Sequence, residues 1–241
     1  MNQYNSDTLI RDMSSLGITL SELQLTQLMR YYEMLLEWNQ KMNLTAITEY
    51  EDVMKKHFVD SASLVKACDV SSFDSLIDVG TGAGFPGLVL KILFPGLKVT
   101  LLDSLNKRIQ FLNAVIEELH LRDALTVHGR AEDFAKPGKG RESFDLCVSR
   151  AVAAFSTLSE YCIPFVKKGG YFIAYKSEKS SEELIAADKA ITILGGRLKE
   201  KVEFTLPDSD IYRILYVMEK IKTTPGKYPR KAGLPGKEPL I

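Results

Sequence analysis

Net charge is the first thing this sequence lacks. Its 241 residues carry 31 Lys plus Arg against 31 Asp plus Glu. Neither a globally basic nor a globally acidic chain is in hand, so attraction to a polyanion has to be local. Cysteine is also scarce. Cys68, Cys147 and Cys162 lie far apart and form no CxxC pair, which argues against a disulfide framework or a zinc site. Small buried hydrophobes in a reducing compartment are the expected role. No apolar run approaches the roughly 18 residues of a membrane span. The opening residues, MNQYNSDTLI, show neither the basic stretch nor the apolar core of a secretion signal. A cytoplasmic protein without a membrane partner, working as a monomer, is expected.

What remains is an ordinary globular balance, 45% hydrophobic and 26% charged. A chain of this length buries roughly 70–75% of its unfolded surface and needs no covalent or metal staple. Residues 1–70 read as a helical extension. Leu25, Leu28, Met29, Tyr32, Leu35 and Leu36 recur at helical spacing, with Ser21 as the N-cap. A second helix is expected over 51–67, after a polar-apolar-polar break at Asn43-Leu44-Thr45.

From Phe73 the pattern changes. Strands are expected at 75–79, 98–102, 125–128, 144–149 and 170–176, with helices after Gly87, over 106–119 and over 181–193. Two longer β patterns follow at 197–205 and 212–219. Alternating strands and helices imply an α/β, doubly wound, mostly parallel sheet with helices on both faces. The last two strands fit an antiparallel edge hairpin. The expected organisation is therefore a helical extension (1–70), a sheet domain (71–221) and a tail (222–241) rich in Pro, Gly and Lys.

The first strand runs into Asp78-Val79-Gly80-Thr81-Gly82-Ala83-Gly84-Phe85-Pro86-Gly87. Glycines let a backbone turn sharply and approach a ligand closely. In open α/β sheets ligands sit beyond the carboxyl ends of strands. Gly82, Gly84 and Gly87 match the dinucleotide pattern GxGxxG, but two features oppose NAD or FAD. The turn starts earlier, at Gly80, and an acid, Asp78, ends the strand. A carboxylate repels a pyrophosphate and favours the sulfonium and ammonium of S-adenosylmethionine. The turn thus points to a Rossmann-like, class I methyltransferase sheet with Asp78, Gly80, Gly82 and Gly84 at the cofactor. An NAD oxidoreductase is the disfavoured rival.

Asp103 closes the second strand, 25 residues after Asp78. A carboxylate there can accept two hydrogen bonds from a ribose diol; the alternative is a surface Asp capping the helix at Asn106. After the third strand, Gly129-Arg130-Ala131-Glu132 would border an adenine, with Ala131 beside the ring and Glu132 near its amine. A simple helix N-terminal Glu is the alternative.

Several segments together resemble the bacterial small-subunit ribosomal RNA guanine methyltransferases, also called glucose-inhibited division protein B. They are Asn43-Leu44-Thr45, His57-Phe58-Val59-Asp60-Ser61, the glycine turn, Gly129-Arg130-Ala131-Glu132, Ser149-Arg150-Ala151 and Lys227-Tyr228-Pro229-Arg230-Lys231-Ala232-Gly233. The resemblance spans essentially the whole chain. Lys231 is a minor departure, standing where a second Arg is frequent. The resemblance implies methylation of nitrogen 7 of a guanine (position 527) in 16S rRNA or the small ribosomal subunit. It also implies cofactor contacts at Gly80, Phe85, Asp103, Ser104, Leu105, Ala131, Glu132 and Arg150.

The residues agree with that chemistry. The fourth strand ends in Val148-Ser149-Arg150, not in the Asn/Asp-Pro-Pro-aromatic motif of many amino-group methyltransferases. Guanine nitrogen 7 already presents an in-plane lone pair, so no base is needed and in-line positioning suffices. Cys147 lies inside an expected buried strand, which leaves no carbon-5 nucleophile. Arg150, the one catalytic candidate, can fork onto a carboxylate, a phosphate or a guanine edge; a structural ion pair is its alternative. Phe85 and Tyr175 are possible stacking surfaces, with core packing the simpler role for Tyr175. His57 is either a helix-surface or interdomain hydrogen-bonding group or an RNA or active-site contact.

From Lys220 to Ile241, Lys220, Lys222, Lys227, Arg230, Lys231 and Lys237 face one acid, Glu238. That local charge of +5 suits a phosphate-contacting strap, with Lys227, Arg230 and Lys231 as RNA candidates; an ordinary solvated tail is the alternative. Lys107, Arg108, Arg130 and Lys176 are expected to extend a basic rim. A small-molecule methyltransferase would not need such a tail. A non-catalytic RNA-binding assembly factor would not need an intact glycine turn.

Overall fold

The computed structural model describes residues 4–150, 153–177 and 181–240. Ala151, from the Ser149-Arg150-Ala151 segment, lies outside them. The chain opens with α1 (Asp7–Ser15) and α2 (Glu22–Met42). Ser21 caps α2 as expected. Its hydroxyl accepts the Gln24 amide while the Gln24 side chain accepts the Ser21 amide, a reciprocal capping box. The helix stops at Asn43 in the left-handed region (φ 49°). Asn39 Oδ1 then accepts the amides of Leu44 (2.7 Å) and Thr45 (2.9 Å). That side-chain clamp explains the break.

The second expected helix is present but irregular. It runs as α3 (Tyr50–Val53), a π-helical turn (Met54–Val59), α4 (Asp60–Ala62) and a 3-10 turn (Ser63–Lys66). A π turn inserts an extra residue and rotates the side chains that follow. It carries His57 and hands on to Asp60.

The sheet has seven strands: β1 (Ser75–Val79), β2 (Lys98–Asp103), β3 (Ala124–His128), β4 (Phe144–Ser149), β5 (Val166–Lys176), β6 (Gly196–Thr205) and β7 (Tyr212–Lys220). Their order is β3-β2-β1-β4-β5-β7-β6. The first five are parallel. β7 runs antiparallel between β5 and β6, which gives the expected edge hairpin. The helices joining or following these strands are α5 (Gly87–Leu93), α6 (Asn106–Glu118), α7 (Ala131–Phe134), α8 (Phe155–Cys162) and α9 (Ser181–Ile193), and α10 (Leu234–Lys237) lies in the tail. β1, β2 and β4 are almost wholly buried, as strands covered on both faces must be. Sequence reading missed α8. Its run FSTLSEYC is poor in strong helix formers, and nearly every side chain is buried, so no polar face advertises the helix.

Two apolar clusters cover the sheet. On one face the N-terminal helices (Leu28, Tyr31, Leu35, Phe58) share a cluster with Phe85, Leu88 and Phe111. On the other, Phe155, Leu158 and Phe165 pack with Ile77, Phe172 and Tyr216, and Tyr228 of the tail joins them. The tail is therefore docked on this face through Tyr228, while Lys227 and Lys231 stay exposed. Two cations expected on the surface from Lys220 onward are instead tied into the protein. Lys220 is 2% exposed and donates to Ile163 O (2.9 Å) and Thr224 Oγ1 (2.8 Å), beside Glu142 (3.1 Å); burial lowers its pKa. Arg230 is locked to Glu160, as described below. Among the described residues no helix is long and apolar enough to cross a membrane.

Candidate active site

The chain runs from β1 outward through β2 to β3, then returns past β1 to β4. The connections diverge between β1 and β4, and a crevice opens where they part. It is a cavity of about 540 Å³, walled by Gly80, Thr81 and Gly82 from the turn after β1, Asp103 and Ser104 after β2, Ala131 and Glu132 after β3, and Arg150 after β4. Volumes of roughly 300–1,000 Å³ are usual for small-molecule sites.

The glycine turn is fixed to the sheet at its base. The amides of Gly80 and Thr81 donate to Leu102 O at 2.9 and 3.2 Å. Gly80 and Gly82 have φ of 73° and 63°, values that L side chains rarely adopt. A Cβ on Gly82 would meet nothing within 4 Å, so the glycine keeps the cavity wall flat. A Cβ on Gly84 would strike Tyr31 and Leu88, and one on Gly87 would lie 2.9 Å from Asp78 Oδ2. Those two glycines permit close packing inside the protein, and Gly84 does not line the cavity.

Asp78, expected at the cofactor, is fully buried and does not line the cavity. Its Oδ2 accepts Thr81 Oγ1 (2.7 Å) and the Gly87 amide (2.8 Å), while Oδ1 has no partner. Burial pushes its carboxyl up to about 6, against the lowering effect of those two hydrogen bonds. Asp78 braces the turn from beneath. Any effect on a ligand acts through the shape of the turn and through its charge.

Asp103 does reach the cavity. It is 3% exposed. Its Oδ2 accepts the Gly82 amide (3.0 Å) and Arg108 (3.2 Å), and its Oδ1 accepts the Leu105 amide (2.9 Å). One carboxylate thus ties two loops together at the rim. It is not the surface helix cap of the alternative reading: it is buried, and α6 has Leu105 as its N-cap with no side-chain cap bond. Ser104 lines the cavity, whereas Leu105 is 43% exposed and does not. Glu132 lines it too, but its carboxylate is engaged: Oε1 accepts the Gly233 amide of the tail at 2.7 Å.

On the opposite wall, the His57 ring stacks on Phe85 at 4.4 Å and 17°. Its Nε2 meets Thr45 Oγ1 at 3.0 Å, and its Nδ1 is buried without a partner. Burial, helped by the nearby Arg150 charge, lowers its pKa to about 4, so the ring is neutral near pH 7. The Arg150 guanidinium stands 5.4 Å above the Phe85 ring. It donates to Asp60 Oδ2 (2.7 Å) and Lys56 O (3.3 Å). Arg213 reaches Asp60 Oδ1 at 2.8 Å. Arg150 is therefore both the structural ion pair and a cavity residue. Tyr175 is a core residue whose hydroxyl donates to Ser61 O.

The structure thus brings Gly80, Gly82, Phe85, Asp103, Ser104, Ala131, Glu132, Arg150 and His57 around one cavity, and leaves Asp78, Gly84 and Leu105 off its wall. Lys227, Arg230 and Lys231 do not line it either. Lys227 and Lys231 are exposed, whereas Arg230 forks onto Glu160, with Nε at 3.0 and 3.1 Å and NH2 at 2.6 Å. The basic rim is thinner than expected. Lys107 donates to Met42 O, Arg108 is held by Asp103, and Lys176 is held by Ala153 O and Glu183. Arg130 is exposed at the cavity mouth. Leu158 and Tyr161 were missed as wall residues because α8 was missed. Asp60 lay in view within the His57 segment, but nothing in sequence signals its pairing with Arg213 at a separation of 153 residues.

A family model described as rRNA small subunit methyltransferase G, GidB, matches residues 24–212. The ribosomal RNA small subunit methyltransferase G of Lachnoclostridium phytofermentans is 55% identical over 237 residues, covering 98% of each chain. That of Lysinibacillus sphaericus is 52% identical, covering 98% of this chain and 99% of its own. Among solved structures, the chain resembles M. jannaschii TYW2 in complex with AdoMet. It aligns with a TM-score of 0.50 at 13% identity, over 61% of this chain and 69% of that one. The YcgJ protein of Bacillus aligns with a TM-score of 0.53 at 14% identity, over 69% and 100%. These two likenesses speak for the fold.

Proposed function

The chain belongs to the GidB family of small-subunit rRNA methyltransferases, and from that premise we propose that it methylates nitrogen 7 of guanine 527 in 16S rRNA, with S-adenosylmethionine as donor. The carrying observation is the cavity at the switch between β1 and β4, in a chain half identical to family members along its whole length.

The residues fit the donor. The flat wall at Gly82 admits a ligand against the backbone. The rim carboxylate of Asp103 still has lone pairs to offer a diol, since an ionised carboxylate has about four acceptor sites. Ala131 and Tyr161 line the same cavity, which supports reading them as the neighbours of an adenine. When bound, the donor supplies an electrophilic methyl group on a sulfonium.

The protein's own part is positioning and charge. Nitrogen 7 already presents a lone pair to the methyl group the donor would supply, so the protein has no proton to move and no base is required. The base becomes cationic as it is methylated. A cationic wall would oppose that. Here His57 is neutral and the Arg150 charge is offset in part by Asp60, which Arg150 shares with Arg213. His57 and Phe85 offer aromatic surface, and unstacked bases are commonly held on such surfaces. Exposed Lys227, Lys231 and Arg130 are offered as the phosphate contacts. On this reading the three segments 1–70, 71–221 and 222–241 work as one monomeric unit in the cytoplasm, where its RNA resides.

Mass mapping of 16S rRNA from cells lacking the protein tests the assignment. The 7-methyl group at guanine 527 should disappear and return on complementation; its persistence in the deletion strain would sink the reading.

A further inference from the structure

The tail does more than carry lysines. Three stretches of cavity wall lean on it. Glu132 accepts the Gly233 amide. Tyr161 stands over Gly236, where a Cβ would come 3.6 Å from its hydroxyl. Next to wall residue Leu158, Thr157 Oγ1 donates to Pro235 O at 3.0 Å. Beside Tyr161, the wholly buried Glu160 accepts both the amide (2.7 Å) and the guanidinium fork of Arg230. Further back, Arg141 donates to Tyr228 O at 2.7 Å and to Thr224 O at 2.5 Å.

These contacts are not interchangeable with solvent. Glu160 sits on α8 with no exposed surface, and a buried carboxylate has to be paired. Undocking the tail strands that charge and frees the Glu132 carboxylate, which is 2% exposed. α8 and the first turn of α7 would then shift or hydrate, and both form the wall at Ala131, Glu132, Leu158 and Tyr161.

We infer that residues 223–240 are a working part of the cofactor cavity: the docked tail sets its affinity for the adenosyl group, with Glu160 and Arg230 as positioning residues that never touch the ligand. This rests on the reading of the cavity as the donor site. It also gives the tail a second role beside RNA. Lys227 and Lys231 flank Arg230 on the same strap, so RNA contact and cofactor retention are linked through one docked segment, and such coupling is reciprocal.

The test titrates S-adenosylhomocysteine into the full-length protein by calorimetry. Arg230→Gln should weaken binding at least fivefold, and Arg230→Lys, which keeps the charge but not the fork, should recover part of that loss. Circular dichroism establishes that each variant is folded. A folded Arg230→Gln protein that binds within twofold of wild type overturns the inference. Hydrogen exchange on the wild-type protein needs no variant. S-adenosylhomocysteine should slow exchange of tail amides around Gly233, and unchanged exchange there overturns the inference equally. Failure of the wild-type protein to bind S-adenosylhomocysteine would instead sink the cavity reading itself.

Discussion

Replacing Gly82 by alanine separates folding from binding more cleanly than any other change in the turn. The residue has φ of 63°, and its added methyl group would touch no protein atom within 4 Å. The folding cost is then only that of holding an L residue in the left-handed region, about 1–2 kcal/mol. For a chain of this length that lowers Tm by roughly 2–8 °C. The binding cost is separate. The methyl group enters space that the ligand is proposed to fill, and forcing an extra carbon into a close-packed contact costs about 1–3 kcal/mol. That corresponds to a roughly 5- to 150-fold weaker affinity. Gly87→Ala is the contrast. Its methyl group would press on Leu101 and lie 2.9 Å from Asp78 Oδ2, so it should unfold the protein at a lower temperature than Gly82→Ala does. Thermal unfolding and calorimetric titration with S-adenosylhomocysteine measure the two effects. If Gly82→Ala binds within twofold of wild type, the wall at Gly82 is not where the donor lies.

Three other perturbations follow from the geometry. His57 is held neutral by burial, with its pKa lowered from 6.5 to about 4. The unfolded chain takes up a proton there before the folded one does, so stability is full above pH 6.5 and is lost as pH falls toward 4. In urea unfolding at pH 7.5 and 5.0, His57→Gln should lose less stability than wild type over that interval; equal losses refute the assignment. Asp78, raised to about 6, works in the opposite sense, gaining stability as pH falls through 6, and cancels in this comparison. Asp60→Ala leaves two partly buried arginines unpaired, which should cost about 3–5 kcal/mol and lower Tm on the order of 10 °C; a shift below 2 °C would show the fork to be idle. Lys227→Ala with Lys231→Ala should reduce the slope of log affinity for 16S rRNA against log salt by about 1.4–1.8. An unchanged slope in a KCl series removes both from the RNA contact.

The strands and the glycine turn were legible because their signals are local. Apolar runs of strand length, an acid at the strand end and three closely spaced glycines all lie within a dozen residues. Direction was harder. Asp78 and Asp103 end neighbouring parallel strands with Asp78 beside Leu101, yet one faces the interior of its turn and the other the rim. Composition also counts charges without their partners. Lys220 and Arg230 looked like phosphate contacts until Glu142 and Glu160 met them, 78 and 70 residues earlier in the chain. The irregular stretch from Met54 to Lys66 was hidden because a π turn has the composition of an ordinary helix.

The place of β7 matters for how the chain is made. It follows β6 in the chain and is the last strand among the described residues, yet it lies between β5 and β6. β6 has no neighbour in the sheet until β7 has emerged, and α8 keeps its buried Glu160 without a partner until Arg230 follows. Early segments can fold during vectorial synthesis, but this sheet closes only once β7 has emerged. A nascent chain stalled before Tyr212 would expose the open edge of β5, which makes such fragments candidates for chaperone capture.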